Sequence, residues 1–181
     1  MSKVKVATAW LGVCSGCHMS LLDLDEKIID LLQKIDIVYS PIVDIKEIPP
    51  VDLGIITGAI TNEDNLEIAK EMREKAKLIL VIGDCGVTGG VCSMRNAFGL
   101  KETMEYAYNK IPSNANDTLP NHPDIPKLLE NVIPVNQAIK VDLHLPGCPP
   151  KPEQIAWILG KILEGKIPEE IPSDILRYGR G

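Results

Sequence analysis

Five apolar runs rich in β-branched residues, at 3–11, 36–43, 52–60, 77–83 and 139–145, each end on a turn signal. Stretches with helical spacing, at 21–35, 62–75, 94–108 and 152–163, lie between or after most of them. Continuous rather than alternating apolar runs are the mark of strands buried on both faces. Interleaved with helices of this length, they predict a parallel sheet with helices on both faces, an α/β fold of the flavodoxin-like or Rossmann-like kind. A chain of 181 residues, 45% of them hydrophobic, buries one substantial core and is too short for two. Residues 1–181 are therefore expected to form a single domain.

The second helix carries a consistent set of local signals. Thr61 or Asn62 supplies a cap, Glu63 and Asp64 place acid in the first turn, and Arg73 and Lys75 place base in the last, matching the helix dipole at both ends. Two segments stand outside the alternation. Residues 111–138, rich in Pro and Asn, read as a surface excursion, either solvated or ordered against a partner. The tail at 165–181 has two prolines, yet Ile167, Ile171, Ile175 and Leu176 point to packing against something.

Nineteen Lys and Arg against twenty-five Asp and Glu give a net charge of −6, spread without a basic cluster. That balance and a 4% aromatic content argue against nucleic acid and anionic membrane surfaces as partners. The stretch 6–22 is free of acidic and basic residues except His18, but it holds Gly12, Ser15, Gly16, Ser20 and two cysteines. It lacks the uniform apolar character of a membrane span, and its apolar part before Cys14 is short for a signal peptide. The expectation is a cytoplasmic protein with no membrane span. In a reducing compartment its five cysteines read as metal ligands or catalytic thiols rather than a disulfide framework.

Cys14 and Cys17 form a CxxC directly after the first predicted strand, Cys85 follows the fourth, and Cys148 follows the fifth. In a parallel sheet those strand ends share one edge, the edge beyond which such folds bind ligands. Four thiols from three loops are thus predicted to converge. Gly16, Gly86, Gly89, Gly90 and Gly147 would let backbone approach a bulky inorganic centre. Zinc and iron–sulfur clusters both take thiolates; one CxxC with two remote single cysteines is less usual for zinc, whose ribbons bring two CxxC pairs. A thioredoxin-like dithiol shares the CxxC position but leaves Cys85 and Cys148 unexplained. Buried cysteines acting as small hydrophobes are the bland reading.

The segments WLGVCSGCHMSLLDLDE, GDCGVTGGVCSMRN and LPGCPPKPEQI together resemble the small subunit of [NiFe] hydrogenases, most of all that of the soluble, NAD-reducing type. The resemblance covers nearly the whole chain. It implies that Cys14, Cys17, Cys85 and Cys148 bind one [4Fe-4S] cluster, the one nearest a nickel–iron site carried by a separate large subunit. It further implies partner diaphorase subunits with FMN and further Fe–S clusters, in a complex that oxidises H2 and reduces NAD. No catalytic residue is then expected in this chain, which would transfer electrons. Two features refine the resemblance. No cysteine follows Cys148, so one cluster is expected, and the spaced CxxC differs from the adjacent cysteines of the related complex I subunit. Neither a GxGxxG after a strand nor a Walker loop appears, so NAD binding by this chain is unsupported.

Other residues invite two readings. Cys92 reads as a spare buried thiol or as one able to exchange with a cluster ligand on oxidation. His18 reads as a capping or interface residue, or as a hydrogen-bonding neighbour of the site. His122 and His144 lack ligand spacing and read as structural. Arg95 would offset site charge or make a surface ion pair, Trp10 is expected to bury its ring, and the Leu and Ile stripe at 21, 22, 28, 31, 32 and 35 is expected to face the core.

Overall fold

Strands β1 (Val4–Trp10), β2 (Ile35–Tyr39), β3 (Val51–Thr57), β5 (Ala76–Ile82) and β7 (Leu143–Leu145) pair in the order β2-β1-β3-β5-β7, every neighbour parallel. The computed structural model describes residues 3–113, 118–168, 171–173 and 175. Counted within the sheet, the order is 2-1-3-4-5, the flavodoxin-like winding, with its switch point between β1 and β3. A second, two-stranded antiparallel sheet joins β4 (Ile60–Asn62) to β6 (Leu128–Ile133). The predicted α/β class, helices on both faces of a parallel sheet, is what the chain adopts.

Each face of the sheet has its own core. On one, Ala69 and Met72 of α3 (Glu63–Lys75) pack with Ala7, Ala9, Ile56, Ile79 and Val81. On the other, Ile155, Ile158 and Leu159 of α7 (Pro152–Leu163) pack with Val6, Leu53, Ile55, Leu80 and Ile82. Leu21 and Leu31, from α1 (Gly16–Leu22) and α2 (Lys27–Lys34), complete that second layer. Consecutive residues of β3 and β5 thus serve opposite cores, which is why these strands read as unbroken apolar runs.

Asn62 is the cap of α3: its side chain accepts from the Asn65 N–H at 2.8 Å, and Asn65 Oδ1 accepts in turn from the Thr61 hydroxyl at 2.7 Å. Several predicted elements differ from what forms, among them the strand expected at 139–145, which forms only over Leu143–Leu145. The stretch 21–35 breaks into α1 and α2 at a turn where Asp25 sits at φ 51°, so Leu22 and Leu32 of the stripe are exposed rather than in the core. The stretch 94–108 is a 3-10 segment (Gly90–Ala97), a short α5 (Leu100–Glu105) and one π turn (Tyr106–Lys110). The excursion 111–138 contains β6 and a four-residue α6 (Val135–Ala138). In the tail, Ile171 packs on the second core and the Ile175 carbonyl accepts from Gln154 Nε2, while Ile167 is exposed; Leu176 lies outside the described residues. Among the described residues, no helix is long and apolar enough to cross a membrane.

At the amino-terminal edge, Asp142 Oδ2 accepts from Arg73 Nη1 at 2.5 Å and from the Ile79 N–H at 2.7 Å, tying α3, β5 and the approach to β7. Partial burial pushes this carboxyl up, but the Ile79 N–H and the Arg73 guanidinium outweigh it and hold it below its usual 3.8. A carboxyl that keeps its charge to lower pH when folded stabilises the fold above its unfolded value, and loses that contribution as pH falls through the folded one. Asp142→Asn is therefore expected to lower the unfolding free energy at neutral pH by on the order of 1 kcal/mol. In urea titrations the deficit should shrink as pH falls below 3.8; a deficit independent of pH would contradict this role.

Candidate functional site

Three loops meet beyond the carboxyl ends of β1, β5 and β7. The first is pinned to the end of β3 by a reciprocal pair of backbone bonds between Gly12 and Ala59, both 2.9 Å. It carries Cys14, then Ser15, which caps α1 in a left-handed conformation, then Cys17 in the first turn. The second follows β5, where Gly83 caps the short α4 (Asp84–Thr88) and Cys85 is its second residue. The third follows β7 through Gly147 to Cys148. Gly83 N–H donates to Leu145 O at 2.8 Å and Asp84 N–H to Gly147 O at 2.9 Å, so the second and third loops run side by side.

Gly83 is where all three touch. It sits at φ +91°, and a Cβ there would lie 2.3 Å from Cys17 Sγ and 3.5 Å from Gly147 O. Gly90 plays the matching part for Cys85: a Cβ on it would come within 3.0 Å of the Cys85 Sγ. The other glycines expected at the thiols divide. Gly16 does face Cys14 Sγ, at 3.3 Å from its would-be Cβ, whereas Gly86 packs on Val81, Gly89 on Ser93 and Gly147 on Pro150. Gly83 itself reads in the sequence as a strand end, and nothing there marks it as the neighbour of a thiol that follows β1, two strands away in the sheet.

Cys17 and Cys85 are buried, and Cys14 and Cys148 are exposed, so the group spans from core to surface. Burial, then the Cys85, Cys14 and Cys148 thiols and Asp84, push the Cys17 thiol up to about 12. Burial, then Cys85, Asp84 and Cys14, push Cys148 up as well. The four thiols are thus within electrostatic reach of one another, and their charged forms disfavour each other unless positive charge stands among them. A dithiol enzyme needs the opposite, a thiol lowered toward neutrality. Among the described residues, no three His, Cys, Asp or Glu side chains draw together tightly enough for a single metal ion. Four soft donors, two of them seated against Gly83 and Gly90 where a Cβ would displace the sulfur, fit an iron–sulfur cluster in donor chemistry and in backbone clearance.

Neighbouring residues differ in part from expectation. Cys92 is half-buried and in contact with the site: its S–H donates to Gly12 O at 3.1 Å, and burial and the adjacent Cys85 push it up to about 11. His18 Nδ1 lies 3.2 Å from Thr57 Oγ1, Nε2 is buried with no partner, and burial lowers the ring to about 4, so it is neutral. Trp10 does not bury its ring; it is 37% exposed and meets His18 edge-on at 5.1 Å. Arg95 pairs with no acid among the described residues. It donates to Leu129 O at 2.6 Å, and to Glu130 O and Thr61 O, clamping the 3-10 segment to the small sheet. His122 is bonded locally to Asp124 N–H, and His144 lies on β7.

The family described as NADH ubiquinone oxidoreductase, 20 Kd subunit, matches residues 14–162, a span that begins at Cys14 and includes Cys148. The chain is 39% identical to the NAD-reducing hydrogenase HoxS subunit delta of Cupriavidus necator, over 97% of this chain and 86% of that one. It is 41% identical to a subunit of the F420-non-reducing hydrogenase of Methanothermobacter marburgensis, over 94% of this chain but only 56% of that longer one. Among solved structures, a chain of an NAD+-reducing [NiFe]-hydrogenase in the H2-reduced state superposes with a TM-score of 0.94 at 34% identity, over 98% of this chain and all of that one. A [NiFeSe] hydrogenase chain from Desulfovibrio vulgaris Hildenborough shares the fold at 18% identity and a TM-score of 0.62, over 91% of this chain and 60% of that one.

Gly83→Ala puts a methyl group into the Cys17 thiol at a backbone angle that only glycine adopts freely. It is expected to cost about 1–3 kcal/mol in urea unfolding and to speed alkylation of Cys17, read by mass spectrometry. Unchanged stability and unchanged Cys17 labelling would show that the three loops do not meet at Gly83. With the family matched over most of its length and a delta subunit matched over 97% of it, the chain belongs to the NADH ubiquinone oxidoreductase 20 Kd subunit family, among its hydrogenase small subunits.

Proposed function

We propose that this chain is the electron-transfer small subunit of a cytoplasmic [NiFe] hydrogenase and holds one [4Fe-4S] cluster on Cys14, Cys17, Cys85 and Cys148. A large-subunit partner would carry the nickel–iron site. Diaphorase subunits with FMN and further Fe–S clusters would couple H2 oxidation to NAD reduction. The observation that carries this reading is the meeting of four thiols from three strand-end loops at one edge of the sheet. Bound there, the cluster would supply one-electron transfer. The chain's own part is to hold four donors in place, to shield Cys17 and Cys85 from water, and to leave Cys14 and Cys148 at the surface.

An apolar rim supports a protein partner. Met19 and Leu22 after Cys17, and Val91, Met94 and Phe98 after Cys85, are each more than half exposed. Large apolar side chains clustered beside a site mark an interface more often than a free surface. A second reading, the same subunit serving another electron acceptor, draws on the F420-non-reducing relatives, whose identity to this chain is as high as that of the delta subunit.

The test is cluster assembly in cysteine variants purified anaerobically. Cys17→Ser and Cys148→Ser are expected to lose iron and acid-labile sulfide. Cys92→Ser, which keeps a donor for Gly12 O and removes none of the four proposed ligands, is expected to keep both. Full iron and sulfide in Cys148→Ser would sink the ligand assignment.

A further inference from the structure

The thiols are not the only titratable groups at this edge. Asp84 lies between Gly83 and Cys85, and its carboxylate turns to the loop of another cysteine: Oδ1 accepts from the Gly147 N–H at 2.7 Å. The Asp84 N–H donates back to Gly147 O at 2.9 Å. One residue before Cys85 and one residue before Cys148 are therefore latched through two bonds, one of them charge-assisted. Among the described residues no ion pair includes Asp84. Arg95, the first cation after Asp84 in the chain, spends its guanidinium on carbonyls of the small sheet, that of Thr61 among them. The charge of Asp84 is felt at both Cys17 and Cys148.

Resting on the cluster reading above, we propose that Asp84 is a positioning residue that also sets the reduction potential: it latches the Cys85 and Cys148 loops and places an unneutralised carboxylate beside the group that accepts the electron. The potential of a cluster follows the net charge around it. A fixed negative charge makes adding an electron harder, and at ordinary effective dielectric over about 10 Å this is worth on the order of tenfold in the one-electron equilibrium. Asp84 therefore holds the midpoint low. Asp84→Asn keeps an acceptor for the Gly147 N–H and removes only the charge. Thr88→Lys changes an exposed residue one turn further along α4. It gives up the Thr88 hydroxyl's bonds to Asp84 O and the Gly90 N–H and places a cation in the same field while leaving the carboxylate and its bond to Gly147 in place.

The experiment is a redox titration of the anaerobically purified complex followed by low-temperature electron paramagnetic resonance, with iron counted in each sample. The signal belonging to this chain is the one lost in Cys148→Ser. Asp84→Asn is expected to retain iron and move that midpoint upward by about tenfold in the equilibrium, ~59 mV for a one-electron couple. Thr88→Lys should move it the same way. If Asp84→Asn sheds iron, Thr88→Lys decides: an upward shift supports the inference. A full iron count with an unmoved midpoint overturns it. A wild-type chain without iron would overturn the cluster reading and this inference together, and the iron count tells the two failures apart.

Discussion

Parallel pairing sends every strand of a sheet to the same edge, and the candidate site depends on that constraint before any other. β1, β5 and β7 are separated by most of the chain, yet their carboxyl ends lie side by side because β3 and β5 keep them in register. Had any one of these strands run antiparallel, its cysteine would stand at the opposite edge. The two cores that clasp the sheet between α3 on one side and α7 on the other are thus also what holds four thiols together. Stability and function share one scaffold here, with the site at the edge nearest the topological switch.

The second constraint is electrostatic. Four thiols and a carboxylate occupy one neighbourhood, and Cys17 and Cys148 are pushed toward their neutral forms by burial and by the neighbouring thiols. Such a group is stable as a set of ligands only when a positively charged centre lies among them. Among the described residues the carboxylate is served by the Gly147 N–H and by no lysine or arginine. In the segment that follows Cys85, by contrast, the large side chains of Met94 and Phe98 are exposed.

Much of this was legible in the sequence because its signals are local. Each of the four cysteines follows an apolar run and sits close to a glycine, so its strand-end position needed no knowledge of distant contacts. The cap of α3 was legible for the same reason. What was not legible depends on pairing across the chain. β4 is three residues long and meets β6 more than sixty residues later, between prolines that read as loop. The break between α1 and α2 falls at Asp25 in a run of Leu and Asp without Gly or Pro to mark it. Gly83 gains its meaning only from Cys17, and Arg95 only from the carbonyls of β6 and Thr61. Trp10 and Leu22 read as core residues because an apolar side chain carries no sign of whether its cover is its own chain or a partner.

A single iron–sulfur cluster on the four converging thiols would show itself most directly in metal content. Iron and acid-labile sulfide should be counted on the chain purified anaerobically with whatever co-purifies, alongside low-temperature electron paramagnetic resonance of the reduced sample. About four of each assigned to this chain, as one cubane on four cysteines requires, with a nickel-containing partner, is the result this account predicts. Stoichiometric zinc, or free thiols with no iron, would contradict it.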